Sequence, residues 1–112
     1  MIDPGEAVYE FVRTVPHGKV VTYGQVAGLV EGVSLTPRQV GGFMASAPAD
    51  VPWQRVVGAA GHLPIGKRAT AFMIRQRQLL ENEGVTFLPN DRIDMSQHQW
   101  TVYHEEMDGL FD

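Results

Sequence analysis

Prolines and glycines divide this chain of 112 residues into short segments, and their positions limit the length of the helices and strands that it can form. Pro16 with Gly18, Gly32 and Pro48 each interrupt an apolar pattern. No apolar run approaches the roughly 20 residues that a membrane helix needs. The chain is therefore expected to fold as one small domain, residues 1–112, that does not cross a membrane.

Helical spacing predicts three helices in the first half. Apolar residues recur at this spacing over residues 4–14, with a proline in the first turn. Thr22 can cap a short helix over residues 23–30, and Thr36 can cap a third helix over about residues 37–47. The second and third helices, joined by a short turn, are typical of a helix-turn-helix unit.

The second half alternates short extended segments with one long helix. Residues 20–22, 53–57 and 85–88 have strand chemistry, and glycines mark residues 61–66 as an exposed loop. Apolar residues at helical spacing predict a helix over about residues 69–83, with a glycine after its end. The predicted fold class is mainly α with short strands (α+β), a winged helix-turn-helix-like DNA-binding domain.

The net charge of −4 hides an uneven distribution. Residues 34–80 hold six of the nine basic residues against one acid, whereas residues 81–112 hold eight of the thirteen acids. A basic middle suits a polyanion such as DNA, although chance clustering on a solvated surface explains it as well. Apolar residues within the acidic tail, residues 89–112, predict that part of it docks on the body while its end frays.

The residue types argue against an enzyme. The chain has no cysteine, which excludes disulfides, thiolate metal sites and a cysteine nucleophile. Its four histidines fall in predicted loops or in the tail, without the spacing of metal ligands. No serine lies in a nucleophile-elbow sequence, and no phosphate-cradling glycine loop is present. We therefore predict no catalytic residue, no metal and no cofactor.

Two features of the predicted third helix are locally unfavourable. Gly41 and Gly42 lie side by side in its interior, where each costs about 1 kcal/mol relative to alanine. Such a pair indicates a surface that something approaches closely; internal helix packing is the commoner reason, and a nucleic-acid backbone is the other. Arg38 opposes the helix dipole in the first turn, which indicates a role outside the fold, or an arginine that merely extends into solvent.

Five sequence blocks, in order, resemble the C-terminal domain of O6-alkylguanine-DNA alkyltransferases over about residues 5–88. They are VPHGKV (15–20), TYGQVA (22–27), RQVGGFM (38–44), PWQRVV (52–57) and LLENEG (79–84). In those enzymes the fourth block reads Pro-Cys-His-Arg-Val, and its cysteine accepts the alkyl group. Trp53 stands at the cysteine position here and Gln54 at the histidine position. This departure resembles the alkyltransferase-like proteins.

The resemblance implies DNA binding without alkyl transfer. Transfer needs a thiolate, and a glutamine cannot relay a proton at neutral pH. Glu83 matches the acid of the family's relay and, without its partners, is expected to be structural. By resemblance, the helix-turn-helix binds the minor groove and the target nucleotide rotates into a pocket.

The resemblance also assigns residues to the DNA-binding face. Arg38 matches an arginine that fills the base stack where the flipped base had been. Tyr23 matches a tyrosine that crowds the phosphate of the target nucleotide. The two glycines and the small Ala45 leave room for the backbone. The expected DNA-binding residues are Tyr23, Thr36, Arg38, Gln39, Gly41, Gly42 and Ala45.

The same resemblance implies a lesion pocket. Trp53 forms a wall that stacks with a flipped purine, although a core tryptophan is the alternative. Residues 65–68 correspond to a loop that closes over the pocket, where Arg68 or Lys67 contacts the lesion. The expected pocket residues are Tyr23, Trp53, Gln54, Arg55, Ile65 and Arg68.

The sequence thus predicts a non-enzymatic sensor that binds O6-alkylguanine in double-stranded DNA and flags it for nucleotide excision repair proteins. A cytoplasmic location is expected because the N-terminus lacks a signal peptide's basic and apolar regions, and a monomer is expected. One alternative is a winged-helix module or regulator without lesion specificity, which reads the major groove. A small enzyme with an unrecognised site is the other.

Overall fold

Five helices and two very short strands make up the part of the chain that the computed structural model describes, residues 2–63 and 70–101. The helices are α1 (Pro4–Arg13), α2 (Tyr23–Leu29), α3 (Pro37–Ala45), α4 (Thr70–Asn82) and α5 (Met95–His98), and the strands are β1 (Val21–Thr22) and β2 (Val56–Val57). The predicted α+β class with a helix-turn-helix unit is confirmed. Within these ranges no helix is both long and apolar enough to cross a membrane.

Helices α2 and α3 begin with the same capping device. The Thr22 hydroxyl accepts a hydrogen bond from the Gln25 amide at 3.0 Å, and the Gln25 side chain accepts one from the Thr22 amide at 2.9 Å. Thr36 and Gln39 repeat the exchange at the start of α3. Each threonine cap is confirmed, and the reciprocal bonds hold the N-termini of both helices in place.

The first apolar cluster joins α1, α2 and α3. Val8 and Val12 of α1 are completely buried against Val26 of α2 and Val40 of α3. The link between α2 and α3 spans residues 30–36, which is longer than the predicted short turn and the three or four residues typical of the motif.

A parallel two-stranded sheet separates this cluster from a second one. Val21 of β1 pairs with Val56 of β2, and both belong to the first cluster. Their neighbours Val20 and Val57 point the other way, into a second cluster that includes Leu80 of α4. Because successive side chains of a strand alternate in direction, this small sheet serves two cores.

The prediction of a strand over residues 53–57 is wrong for its first part. Trp53–Arg55 form a 3-10 turn, in which the Arg55 amide donates to the Pro52 carbonyl at 3.0 Å. Only Val56–Val57 continue as a strand. The turn allows the neighbouring side chains Gln54 and Arg55 to contact the same partner residue. A strand would direct these two side chains to opposite faces.

Two further predictions need correction. No strand forms over residues 85–88, where a single antiparallel bridge joins Phe87 to Ile93. Gly61, predicted to start an exposed loop, is buried. Its carbonyl accepts a hydrogen bond from the Ile93 amide at 3.0 Å, which brings the tail against it. Residues 64–66 of that predicted loop lie outside the described residues.

Part of the acidic tail docks on the body, as predicted. The Val20 amide donates to the His98 carbonyl at 2.9 Å, and the Trp100 amide donates to the Val20 carbonyl at 2.8 Å. Trp100 also packs against Phe11 of α1. His98 lies in the tail, as predicted, at the end of α5, and its Nε2 accepts a hydrogen bond from the Thr86 amide at 2.9 Å. The end that was expected to fray falls outside the described residues, as does His104.

Gly61→Ala and Gly84→Ala test how closely Ile93 of the tail packs on Gly61. Both glycines have a positive φ, +83° and +86°, so alanine at either site costs about 1–2 kcal/mol. A Cβ at Gly61 would lie 2.6 Å from the Ile93 carbonyl oxygen, whereas one at Gly84 would meet nothing within 4 Å. We expect Gly61→Ala to lower the free energy of unfolding by about 1–3 kcal/mol more than Gly84→Ala in urea titrations. Equal losses would contradict the close approach of Ile93.

Candidate nucleic-acid interface

The exposed face of α3 is small and nearly featureless except for one arginine. Arg38, Gly42 and Ala45 recur at helical spacing and are exposed. Val40 and Met44 are buried on the opposite face. Within residues 2–63 and 70–101 no ion pair engages the Arg38 guanidinium. The face therefore presents a free cation at one end and bare backbone along its length.

Packing within the described part of the chain does not require the glycine pair of this face. A Cβ built on Gly42 meets no heavy atom within 4 Å, and one on Gly41 meets only the Tyr23 ring at 3.8 Å, an ordinary van der Waals distance. The commoner explanation from the sequence, close packing against another helix, is therefore wrong for the described structure. Packing among the described residues therefore does not explain two residues that weaken the helix.

Tyr23 stands beside the glycine face. It is the first residue of α2, and its half-buried ring packs on the first apolar cluster next to Gly41. Burial raises the pKa of the Tyr23 phenol above its ordinary value, so the hydroxyl stays protonated at neutral pH. It can therefore act as a hydrogen-bond donor at the edge of the α3 face.

The carboxylate of Glu83 joins three separate segments. Its Oε1 accepts hydrogen bonds from the Gly18 amide and from Arg55 Nε, each at 2.9 Å. Its Oε2 accepts one from Gln54 Nε2, also at 2.9 Å. Arg55 Nη1 in turn donates to the Val15 carbonyl at 2.9 Å. We call this set of contacts the Glu83 clamp.

The Glu83 clamp is largely withdrawn from water. The side chains of Arg55 and Glu83 are 16% and 7% exposed. Burial acts to raise the pKa of Glu83, but the hydrogen bonds from Gly18, Gln54 and Arg55, with the arginine's charge, together hold that pKa below its ordinary value. Glu83 is therefore ionised at neutral pH, and its partners are fixed around a charge.

A second buried polar group fixes the same turn from the other side. Gln76 of α4 is 1% exposed, and its Nε2 donates to the carbonyls of Gln54 and Val56, each at 3.0 Å. Gln76 lies within the helix predicted over about residues 69–83, and the sequence alone assigned it no role. The signal was available, because a glutamine among buried positions needs partners for its amide.

A pocket of about 400 Å³ lies between the end of α3 and the start of α4. Its described lining residues are Met44, Ala45, Ala47, Trp53, Ala71, Phe72 and Arg75. The Trp53 and Phe72 rings lie 5.5 Å apart at an interplanar angle of 72°. Because Ala45 belongs both to the exposed face of α3 and to the pocket, the pocket adjoins that face.

The structure brings together some of the expected site residues and separates others. Tyr23 packs beside Gly41, and Trp53 lines the pocket while also packing on the first cluster. Gln54 and Arg55 are engaged by the Glu83 clamp instead of lining the pocket. Ile65, Lys67 and Arg68 lie outside the described residues. Sequence reasoning missed five of the lining residues: Met44, Ala47, Ala71, Phe72 and Arg75.

Comparisons with known proteins agree with this arrangement. The family model described as the DNA-binding domain of 6-O-methylguanine DNA methyltransferase matches residues 3–85. The protein named alkyltransferase-like protein 1 of Schizosaccharomyces pombe is 38% identical over 100 residues, which cover 83% of this chain and 90% of that protein. The chain belongs to the alkyltransferase-like family.

Other relatives of this alkyltransferase-like chain carry related names. A protein of Escherichia coli K12 named DNA base-flipping protein is 36% identical over 97 residues, covering 85% of this chain and 72% of that protein. The structure of S. pombe Atl1 in complex with damaged DNA containing O6-carboxymethylguanine matches this chain with a TM-score of 0.69 and 35% identity. The match covers 87% of this chain and 94% of the Atl1 chain. The Mycobacterium tuberculosis O6-methylguanine methyltransferase matches with a TM-score of 0.60 and 33% identity over 74% of this chain and 49% of its own.

The described part of this alkyltransferase-like chain holds no group of three or more acidic, histidine or cysteine side chains that could bind a metal ion. The arrangement instead combines an exposed helix face with small side chains, an arginine that forms no ion pair with any described residue, and an adjoining aromatic pocket. Chemically, it suits a polyanion at the helix and a flat apolar group in the pocket.

Glu83→Gln tests the clamp through its pH dependence. Because the folded pKa of Glu83 lies below its ordinary value near 4.5, the stability that the carboxylate contributes is present above that pH and is lost as pH falls through the folded pKa. We expect the difference in unfolding free energy between the natural chain and Glu83→Gln to be constant at neutral pH and to shrink below about pH 4.5. Urea titrations from pH 7 to pH 3 measure it.

Glu81→Gln is the matched control. Glu81 lies at the end of α4 and pairs with Arg77, but its side chain is 53% exposed. Its replacement should change stability by less than about 1 kcal/mol at neutral pH. A Glu83→Gln loss no larger than the Glu81→Gln loss would contradict the role of the clamp.

Proposed function

We propose that this chain is a DNA-damage sensor that binds O6-alkylguanine in double-stranded DNA through the minor groove and rotates the damaged nucleotide into the pocket at Trp53. The observation that carries the proposal is the glycine face of α3, next to that pocket, which packing among residues 2–63 and 70–101 does not require. The names of its relatives, which refer to base flipping and to damaged DNA, support it.

The glycine face suits close approach by a DNA backbone. Without side chains at Gly41 and Gly42, phosphates and sugars can come near the helix surface, and Ala45 adds little bulk. Thr36 and Gln39 hold the start of α3 in place, and their exposed position suits contacts to phosphate oxygens. These residues position the protein without reading sequence, as expected for a protein that must find lesions in any context.

Arg38 and Tyr23 suit the step in which the nucleotide leaves the stack. Arg38 is exposed at the first turn of α3, so its planar guanidinium can enter the minor groove and fill the vacated space between bases. Tyr23 lies beside the glycine face, next to Gly41, and can crowd the backbone of the target nucleotide. Rotation costs a few kcal/mol, and less for a damaged base pair, which favours lesions over intact DNA.

The pocket suits a flipped purine. Trp53 provides a flat surface for stacking, and Gln54 and Arg55 hold its turn in place through the Glu83 clamp. In the proposal, Ile65 and Arg68 belong to a loop that covers the base, with Arg68 or Lys67 against the lesion.

We further propose that binding leaves the alkyl group on the DNA. The chain has no cysteine to accept it, and Trp53 stands where the resemblance puts the acceptor. Gln54 Nε2 donates a hydrogen bond to Glu83, and a side-chain amide cannot act as a proton relay at neutral pH. A complex that persists without reaction can mark the site for nucleotide excision repair proteins. Action as a monomer, a cytoplasmic location and a single domain over residues 1–112 belong to the same proposal.

Fluorescence anisotropy with two otherwise identical duplexes, carrying guanine or O6-methylguanine at one central position, tests the proposal. At one fixed salt concentration we expect binding to the lesion to be at least about tenfold tighter. Arg38→Ala should weaken lesion binding by about tenfold or more, because the vacated stack is left unfilled. Arg92→Ala, which removes an arginine from the acidic tail, is the matched control and should change little.

Mass spectrometry of the recovered duplex completes the test, and the methyl group should still be present. Equal affinity for both duplexes would leave the alternative of a DNA-binding module without lesion specificity. Loss of the methyl group would show that the chain is an enzyme.

Gly42→Ala separates stability from function. Because a Cβ there meets nothing within 4 Å and alanine is the better helix former, we expect the variant to be about 0.5–1 kcal/mol more stable. The same methyl group should obstruct the DNA backbone and weaken binding to both duplexes. Urea titration and anisotropy measure the two effects. A variant that is more stable and binds equally well would show that α3 does not approach DNA through this face.

A further inference from the structure

The capping boxes of α2 and α3 use the same pair of residue types but differ in their surroundings. Among residues 2–63 and 70–101, the exposed Gln39 side chain forms hydrogen bonds only with Thr36. Gln25 of α2 is half-buried, and its side chain has two further partners outside its own helix. Capping alone does not account for these partners, because the box of α3 is complete without them.

The further partners of Gln25 come from the strap, residues 95–100, which comprises α5 and the two residues after it. Gln25 Nε2 donates a hydrogen bond to the Trp100 carbonyl at 2.7 Å. Gln99 Nε2 donates to Gln25 Oε1 at 2.9 Å, and the same oxygen accepts the Thr22 amide of the capping box. The strap therefore fixes both the nitrogen and the oxygen of the Gln25 side chain.

The strap also holds the backbone that leads into α2. The Val20 amide and carbonyl bind the backbone of His98 and Trp100, and the next two residues pair with β2 as strand β1. Tyr23 follows directly as the first residue of α2. The placement of Tyr23 therefore depends on a segment that is distant in sequence, in addition to its own helix.

Helix α2 has little stability of its own to offer Tyr23. It has only seven residues, and Gly24 and Gly28 are two of them. Helices this short are marginal in water, and glycine weakens them further. Stacking and pairing of the bases oppose rotation of a nucleotide, so a residue that crowds its backbone experiences an opposing force. Support from outside α2 is needed to keep Tyr23 in place against that force.

We propose that Gln99 and the Trp100 carbonyl position Tyr23 for rotation of the damaged nucleotide, acting through Gln25. The inference rests on the function proposed above. It assigns a role in that function to the strap, which lies beyond residues 3–85 that the family model matches. Gln99 is a positioning residue, whereas Tyr23 contacts the target nucleotide.

The test measures the rate of nucleotide rotation at saturating protein, so that differences in affinity do not enter. The duplex carries O6-methylguanine opposite a fluorescent cytosine analogue, whose emission rises when its partner base leaves the stack, and stopped-flow mixing gives the rate. Gln99→Met keeps the bulk of the side chain and removes its donor. We expect this variant to rotate the nucleotide about fivefold more slowly, the factor that corresponds to one hydrogen bond of ordinary strength.

A double variant separates positioning from general stability. Tyr23→Ala alone should slow rotation, because the ring that crowds the backbone is gone. If Gln99 acts through Tyr23, adding Gln99→Met to Tyr23→Ala should slow rotation no further. Two independent effects would instead multiply in the double variant, and that result would contradict the proposal.

Gln97→Ala is the matched control. Gln97 belongs to the same strap, but its exposed side chain donates to Asp94 Oδ2 at 2.7 Å and does not contact Gln25. Its removal should leave the rate unchanged. Thermal unfolding checks that the variants fold, and Gln25→Glu replaces Gln99→Met if the latter is unstable. Glutamate keeps the acceptor of the capping box but turns an oxygen toward the Trp100 carbonyl, so the same slowing is expected.

The outcomes separate the two proposals. If the natural chain gives no rise in emission with the lesion duplex at saturation, nucleotide rotation itself fails and this inference with it. If the natural chain rotates the nucleotide and Gln99→Met does so equally fast, only the role of the strap is overturned. Equal slowing in Gln97→Ala would also overturn it, because the effect would then not come from the contact between Gln99 and Gln25.

Discussion

The ionised carboxylate of Glu83 connects the parts of the molecule on which the candidate site depends. It follows the last turn of α4, where a negative charge opposes the helix dipole. Its position is tolerated because Arg55 supplies a positive charge at 2.9 Å and the Gly18 amide and Gln54 complete its hydrogen bonds. A charge this buried would be strongly destabilising without those partners. The clamp therefore ties the segment after α1, the turn at residues 53–55 and the end of α4 to one another.

This connection explains why Trp53 can serve as a fixed wall. Gln54 and Arg55 bind Glu83 on one side of the turn, while Gln76 of α4 binds the backbone of the same turn on the other. Trp53, the first residue of the turn, is thereby held between the end of α3 and the start of α4. A pocket whose wall is fixed in advance loses less conformational entropy when a base enters it.

The sequence predicted the elements that local signals define and missed those that distant partners define. Threonine caps and helical spacing placed α2 and α3 to within two residues, because capping chemistry is local. The 3-10 turn at residues 53–55 was not predictable from the local sequence, because Arg55 finds its partner at Glu83, just after α4. Strands of two residues are too short to show an alternating apolar pattern. The contact between Phe72 and Trp53 joins two distant segments, so the sequence alone does not indicate it.

Three locally unfavourable residues lie on one surface. Gly41 and Gly42 weaken α3 without a packing reason among the described residues, and Arg38 opposes the dipole of α3 from the same face. The capping box at Thr36, whose threonine stabilises the helix by about 1 kcal/mol, partly offsets a loss of about 1 kcal/mol for each glycine. Glu83 also opposes a helix dipole, but its partners in the clamp compensate for its charge. The residues of α3 have no such compensation among the described residues, which indicates a surface shaped by a contact outside the fold. Since that surface adjoins the aromatic pocket at Ala45, one bound molecule can occupy both at once.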